Sequence, residues 1–91
     1  MMINVKAFAR FREVFGKELI LGLDGKTTVM DLLSSLCVTH DAHDIIFDES
    51  GGIKKYVNIL VNGRHIQSLS GTRTELADGD EVAIFPPVAG G

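Results

Sequence analysis

Thr28-Val29-Met30-Asp31-Leu32-Leu33-Ser34-Ser35-Leu36-Cys37-Val38 carries the main helical period of the chain. Val29, Leu32, Leu33, Leu36 and Cys37 recur at i, i+3, i+4, i+7 and i+8, which places them on one face of a helix. Thr28-x-x-Asp31 matches a capping box at its start, with Asp in place of the usual Glu or Gln. The spacing predicts a helix over Val29–Val38. One apolar stripe of this kind has to be buried against another layer, and the flanking segments supply a sheet.

Upstream, Ile3, Val5 and Ala7 alternate with Asn4, Lys6 and Phe8, the period of a half-buried strand. Ala9 to Phe15 reads as one or two helical turns closed by Gly16. Glu18 to Leu23 reads as a second strand, ended by Asp24-Gly25 and antiparallel to the first. Downstream, residues 39–55 are polar and end in Ser50-Gly51-Gly52, a long excursion with a short helical or apolar patch at Ile45-Ile46-Phe47. Tyr56 to Val61 reads as a third strand with Val57, Ile59 and Val61 on one face. Asn62-Gly63 is a two-residue hairpin signal, and Arg64-His65-Ile66 begins the return. After a turn at Asp78-Gly79, Glu81 to Phe85 forms the last strand, with Val82 and Ile84 inward. The order ββ-α-β(β)-β predicts an α+β roll in which one helix covers one face of a sheet.

At 91 residues the chain has the size of one domain. That length supports a core without disulfides or a metal. A net charge of −3 argues against a dedicated nucleic-acid binder. No apolar run reaches the length of a membrane span, and the N-terminal segment has no long apolar core of a signal peptide. Cys37 is the single cysteine and has no internal disulfide partner, so a reducing cytoplasm is expected.

The sequence ends Phe85-Pro86-Pro87-Val88-Ala89-Gly90-Gly91. Two glycines make a thin strand that a partner enzyme could thread into a narrow channel, presenting a terminal carboxylate. Pro86-Pro87 would stiffen its base. The division expected is a domain over 1–85 and a flexible Pro-Pro/di-glycine tail over 86–91.

Together these segments resemble the MoaD/ThiS group of ubiquitin-like β-grasp proteins. The resemblance rests on Phe8-Ala9-Arg10-Phe11-Arg12-Glu13 with Gly16, on Thr28-Val29-x-Asp31-Leu32-Leu33 and on Asn58-Ile59-Leu60-Val61-Asn62-Gly63. Its most specific part is Leu76-x-Asp78-Gly79-Asp80-Glu81-Val82-Ala83-Ile84-Phe85-Pro86-Pro87-Val88-Ala89-Gly90-Gly91. It covers essentially the whole chain. The final run is close to the MoaD pattern, and the segment around Asn58–Gly63 looks most like the small archaeal modifier proteins. The implied fold is a β-grasp, a mixed sheet of about four or five strands packed on one main helix.

The resemblance also implies a chemistry. An adenylating partner, similar to ubiquitin-activating enzymes and to MoeB, would use ATP to turn the Gly91 carboxylate into an acyl-adenylate. A sulfur donor could then form a thiocarboxylate, or a lysine amine of a target protein could attack to leave an isopeptide bond. With Gly91 last, no processing protease is expected. The chain itself is expected to be a carrier without catalytic residues, bound cofactor or metal. Three readings stand side by side. The first is a protein modifier and sulfur carrier. The second is the small subunit of molybdopterin synthase, delivering sulfur to a pterin precursor in the large subunit. The third is an interaction module whose Gly-Gly is incidental.

Several residues invite sharper readings that plainer ones answer. Cys37 lies on the apolar helix face and reads as a buried, inert thiol. Cys37, His40 and His43 with Asp41 and Asp44 are too loosely spaced for structural zinc, and read as a solvated helix end. Lys54-Lys55 could accept a second copy of the chain or simply sit in a solvated loop. Asp78, Asp80 and Glu81 are explained by turn formation. Arg10 and Arg12 either hold partner carboxylates or are ordinary solvated charges.

Alternation leaves one unusual feature. With the core residues inward, Phe8, Leu60 and Phe85 face out. In a β-grasp sheet the first, third and last strands lie together, so the three side chains would form one apolar patch. Unless the pleat breaks and turns Phe8 into the core, the expected partner-binding residues are Phe8, Leu60, Phe85, Pro86, Pro87, Val88 and Ala89, with Gly90 and Gly91 as the activated end.

Overall fold

The capping box forms as its spacing predicts. In the computed structural model, which describes residues 1–87, the Asp31 N–H donates to Thr28 Oγ1 at 3.3 Å. The Thr28 N–H donates to Asp31 Oδ2 at 3.0 Å. From this start α2 runs Val29–His40, two residues past the expected end. Asp41 closes it in the left-handed conformation, φ 52° and ψ 49°.

The other elements follow in chain order as β1 (Met2–Ala7), α1 (Arg10–Phe15), β2 (Glu18–Gly22), β3 (Thr27–Thr28), then α2, α3 (His43–Ile46), β4 (Asn58–Val61), β5 (Arg64–His65), β6 (Glu75–Leu76) and β7 (Glu81–Phe85). Two 3₁₀ turns, Ile66–Ser68 and Gly71–Arg73, lie between β5 and β6. Five strands form one sheet in the order β2-β1-β7-β4-β5. β1 and β7 are parallel neighbours at its centre, and the remaining pairings are antiparallel. This is the mixed β-grasp sheet expected, with the first, last and third major strands side by side.

Alternation holds in the strands. Ile3, Val5 and Ala7 of β1, Ile59 and Val61 of β4, and Val82 and Ile84 of β7 are buried. They join Val29, Leu32, Leu33, Leu36 and Cys37 of α2 in one core. The hairpin between β4 and β5 turns on Asn62 (φ 50°) and Gly63 (φ 85°), the two positive values that a type I′ turn demands.

Two strand bounds need correction, and two further features complete the fold. The third strand begins at Asn58 rather than Tyr56, because Val57 N–H donates to the Lys54 carbonyl at 3.0 Å and holds 54–57 in a turn. The return strand stops at His65. Ile66 leaves the ladder and is buried at the start of a 3₁₀ turn. A second, two-stranded sheet pairs β3 with β6 beside the start of α2. Within 39–55 the expected patch forms as α3, and Ala42, Ile46 and Phe47 enter the core. Asp48 organises the turn that follows, accepting from the Ser50 N–H at 2.9 Å and the Gly52 N–H at 3.0 Å.

Candidate functional site

The outer face of the sheet, opposite α2, carries the expected patch. Register explains it. Ala7 pairs with Ile84 across β1 and β7, while Asn58 pairs with Phe85 and Leu60 with Ala83 across β4 and β7. The outward side chains of three adjacent strands therefore converge. Phe8 follows β1 directly and is anchored there by its N–H, which donates to the Ile84 carbonyl at 3.0 Å. Phe8 is 40% exposed, so the pleat does not fold it into the core. It meets Phe85 edge to face, with ring centroids 6.4 Å apart.

Phe8, Leu60, Ala83, Phe85, Pro86 and Pro87 border an open groove of about 580 Å³, with Gly63 and Glu81 completing its edge. The groove lies where the chain leaves β7. Of the residues singled out in the sequence, the structure brings together Phe8, Leu60, Phe85, Pro86 and Pro87. Val88, Ala89, Gly90 and Gly91 lie outside the described residues.

The edge of the groove is built from polar contacts. Lys6 Nζ reaches Glu81 Oε1 at 3.5 Å across the β1–β7 pairing. Both side chains are partly exposed, so the pair is worth about 0.2–1 kcal/mol. Asn62 Nδ2 donates to Asp80 Oδ1 at 2.9 Å, and the Glu81 N–H donates to Asn62 Oδ1 at 2.9 Å. Asp80 Oδ2 also accepts from the Ala77 N–H at 2.8 Å, and Asp78 Oδ1 from the Met2 N–H at 2.6 Å. The acidic run is thus distributed over turn contacts, as its spacing suggested.

Between Phe8 and α1 the chain does something the sequence did not announce. Ala9 has φ 53° and ψ −129°, a region that non-glycine residues enter at a cost of about 1–3 kcal/mol. The turn is held by the Phe11 N–H donating to the Phe8 carbonyl at 3.1 Å. It leaves Phe8 on the outer face and starts α1 at Arg10. The Arg10 guanidinium carbon then lies 4.2 Å from the centre of the Tyr56 ring and 5.3 Å from that of Phe11. Arg12 lies 5.9 Å from the Phe8 ring centre. The two arginines left undecided by the sequence are therefore stacked on aromatic rings. In the sequence Tyr56 reads only as the start of a strand, and no local signal marks its contact with Arg10, because that partner is 46 positions away.

The remaining candidates resolve plainly. Cys37 is 2% exposed, and burial pushes its thiol up to about 11. His40 is not merely solvated: its Nδ1 lies 3.0 Å from the Leu36 carbonyl, and its ring packs on the edge of Phe15. His43 stacks against Phe47 with ring centroids 4.8 Å apart. Lys55 is exposed, while Lys54 is half-buried with its ammonium 5.6 Å from the Tyr56 ring centre. Among the described residues no helix is long and apolar enough to cross a membrane.

Known proteins are similar to this chain in sequence and in fold. The model of the ThiS family matches residues 5–91. Small archaeal modifier protein 3 of Haloferax volcanii is 45% identical over 92 aligned positions, covering 100% of both chains. The molybdopterin synthase sulfur carrier subunit of Chlamydomonas reinhardtii is 34% identical, again over 100% of both chains. The crystal structure of SAMP1 from Haloferax volcanii superposes with a TM-score of 0.85 at 34% identity, covering 100% of each chain. A family match over nearly all of the sequence, joined to the same fold in a relative of equal extent, shows that the chain belongs to the ThiS family of ubiquitin-like β-grasp proteins.

Proposed function

We infer that this chain is a ubiquitin-like protein modifier and sulfur carrier, activated at the carboxylate of Gly91. The observation that carries the reading is the apolar groove at the root of a tail ending in Gly-Gly. Contiguous exposed apolar surface marks interaction sites, and this one adjoins the segment that a partner would have to thread. Phe8, Leu60 and Phe85 dock on an adenylating enzyme. Pro86 and Pro87 set the direction of exit, and Val88 and Ala89 enter the partner's channel ahead of Gly90 and Gly91.

The chemistry divides between the two proteins. The partner binds ATP and joins its α-phosphate to the Gly91 carboxylate, releasing pyrophosphate. A carboxylate resists nucleophiles, whereas the mixed anhydride loses AMP readily. A sulfide equivalent that displaces AMP leaves a thiocarboxylate. A lysine amine that displaces it leaves an isopeptide bond and gives up a proton. This chain is the carrier in both steps and holds no cofactor of its own. With its one thiol unpaired and buried, it suits a reducing cytoplasm.

Identity favours the modifier reading, since the full-length modifier relative is 45% identical and the molybdopterin synthase subunit 34%. Mass spectrometry of proteins from cells making the chain tests the choice. Gly-Gly remnants on lysines of other proteins, together with the thiocarboxylate form of the chain, are expected. Copurification with a large synthase subunit and no lysine remnants would favour the second reading.

A further inference from the structure

We propose that Arg10 and Lys54, gathered on the Tyr56 ring at the root of the tail, form a cationic contact that reads an acidic surface of the activating partner. The proposal rests on the reading of Gly91 as the activated end and adds the charge that the partner must present.

Topology places the cluster. β7 lies between β1 and β4 in the sheet. Arg10 comes two residues after Phe8, whose ring packs on Phe85. Tyr56 comes two residues before Asn58, whose register partner is Phe85. A contact from Arg10 to Tyr56 therefore joins the start of α1, just after β1, to the turn just before β4, at the end of β7 where the chain departs into Pro86-Pro87. The guanidinium carbon sits 4.2 Å from the Tyr56 ring centre and the Lys54 ammonium 5.6 Å from it.

Two cations held on one ring repel each other unless a negative group serves both. Among the described residues neither Arg10 nor Lys54 forms an ion pair with a carboxylate. Lys54 borders a groove that it shares with Asp48 and Glu49. Asp48 is bonded to Ser50 and Gly52, and that bonding, Ser50 first, holds its carboxyl below the usual range, so it stays charged in that groove without forming an ion pair with Lys54. Donation from Lys54 and then Arg10 holds the Tyr56 phenol below its ordinary range, so the site favours negative charge. The chain as a whole carries −3, so two cations gathered on one ring stand against the overall charge. A stacked guanidinium keeps its donors pointed outward in a fixed fork, suited to a carboxylate pair.

The test is adenylation kinetics with the adenylating enzyme, following ATP-dependent pyrophosphate release. Substrates are the intact chain, Arg10→Glu, Lys54→Glu, the double variant, Tyr56→Phe and a form lacking Gly91. Charge reversal at an interface edge acts on encounter and register, so KM should rise about 5–10-fold for each reversal with kcat nearly unchanged. The effect should shrink as salt is raised, because exposed charges are screened within about 8–10 Å at 0.1–0.15 M. Tyr56→Phe keeps the ring but removes the hydroxyl to which Lys54 and Arg10 donate, so its KM should rise less than that of either reversal. Circular dichroism checks that each variant is folded. KM values within twofold of the intact chain for both folded reversals, at low salt, overturn the contact even if loss of Gly91 abolishes turnover. Raised KM for the reversals with undiminished turnover of the form lacking Gly91 supports the contact and overturns the reading of the tail.

Discussion

Phe8 and Phe85 meet edge to face, their planes at 86° and their centroids 6.4 Å apart, on the outer side of the parallel pairing of β1 and β7. The contact joins the end of the first strand to the end of the last. It ties the groove to the exit of the tail, since the residue after Phe85 is the first of the two prolines.

Phe85→Ala and Leu60→Ala should weaken binding to the adenylating partner, each by more than ~1 kcal/mol, as central apolar anchors do. Phe85→Ala should also cost about 0.5–1.5 kcal/mol of stability through the lost aromatic pair. Lys26→Ala is the control, on a turn where the side chain is 94% exposed and only loosely paired with Glu75. Titration calorimetry on folded variants decides. Equal affinities for the intact chain, Phe85→Ala and Leu60→Ala would remove this face from the docking surface.

Leu32→Ala or Leu36→Ala should destabilise the domain by ~2–5 kcal/mol, because both side chains are fully buried and truncation leaves a cavity. That is a large part of the ~5–15 kcal/mol available to a domain. Urea denaturation gives the shift. An unchanged midpoint for both would place the apolar face of α2 elsewhere than on the sheet.

Cys37 should resist thiol reagents in the folded chain and react on unfolding. Its folded value of about 11 stands above the ordinary 9.0 because burial penalises the thiolate. The folded state therefore favours the protonated form. This contribution is fully present below about pH 9 and is lost as pH rises through about 11, with a size on the order of 2–3 kcal/mol. Cys37→Ala should flatten that part of the alkaline stability profile. Identical profiles for the two proteins in that window would show the thiol to be in contact with water.

The sequence was most legible where the signal is local. The capping box at Thr28 and Asp31, the apolar stripe of α2 and the Asn62-Gly63 turn each depend on residues a few positions apart, and each forms. Outward placement of Phe8, Leu60 and Phe85 followed from a period of two. That these three become neighbours required the strand order, which the family resemblance supplied. Distant partners account for what was missed. Ile46 and Phe47 stand out as a short apolar patch in a polar stretch, but the α2 residues they pack beside lie too far back in the chain for a local pattern to show. The β3–β6 pairing joins Thr27 to Leu76 through two residues on each side, too short to show a period. Arg10 and Tyr56 meet only because β1 and β4 flank β7.

Activation of the intact chain beside forms lacking Gly91 or Gly90-Gly91 tests the central claim most directly. Each form is incubated with the adenylating enzyme and ATP, pyrophosphate release is followed, and thermal unfolding is measured in parallel. The account predicts that truncation abolishes release while the unfolding midpoint stays unchanged, because the reactive carboxylate is withdrawn and no core residue is lost. Release at a normal rate from a truncated, folded chain would contradict it.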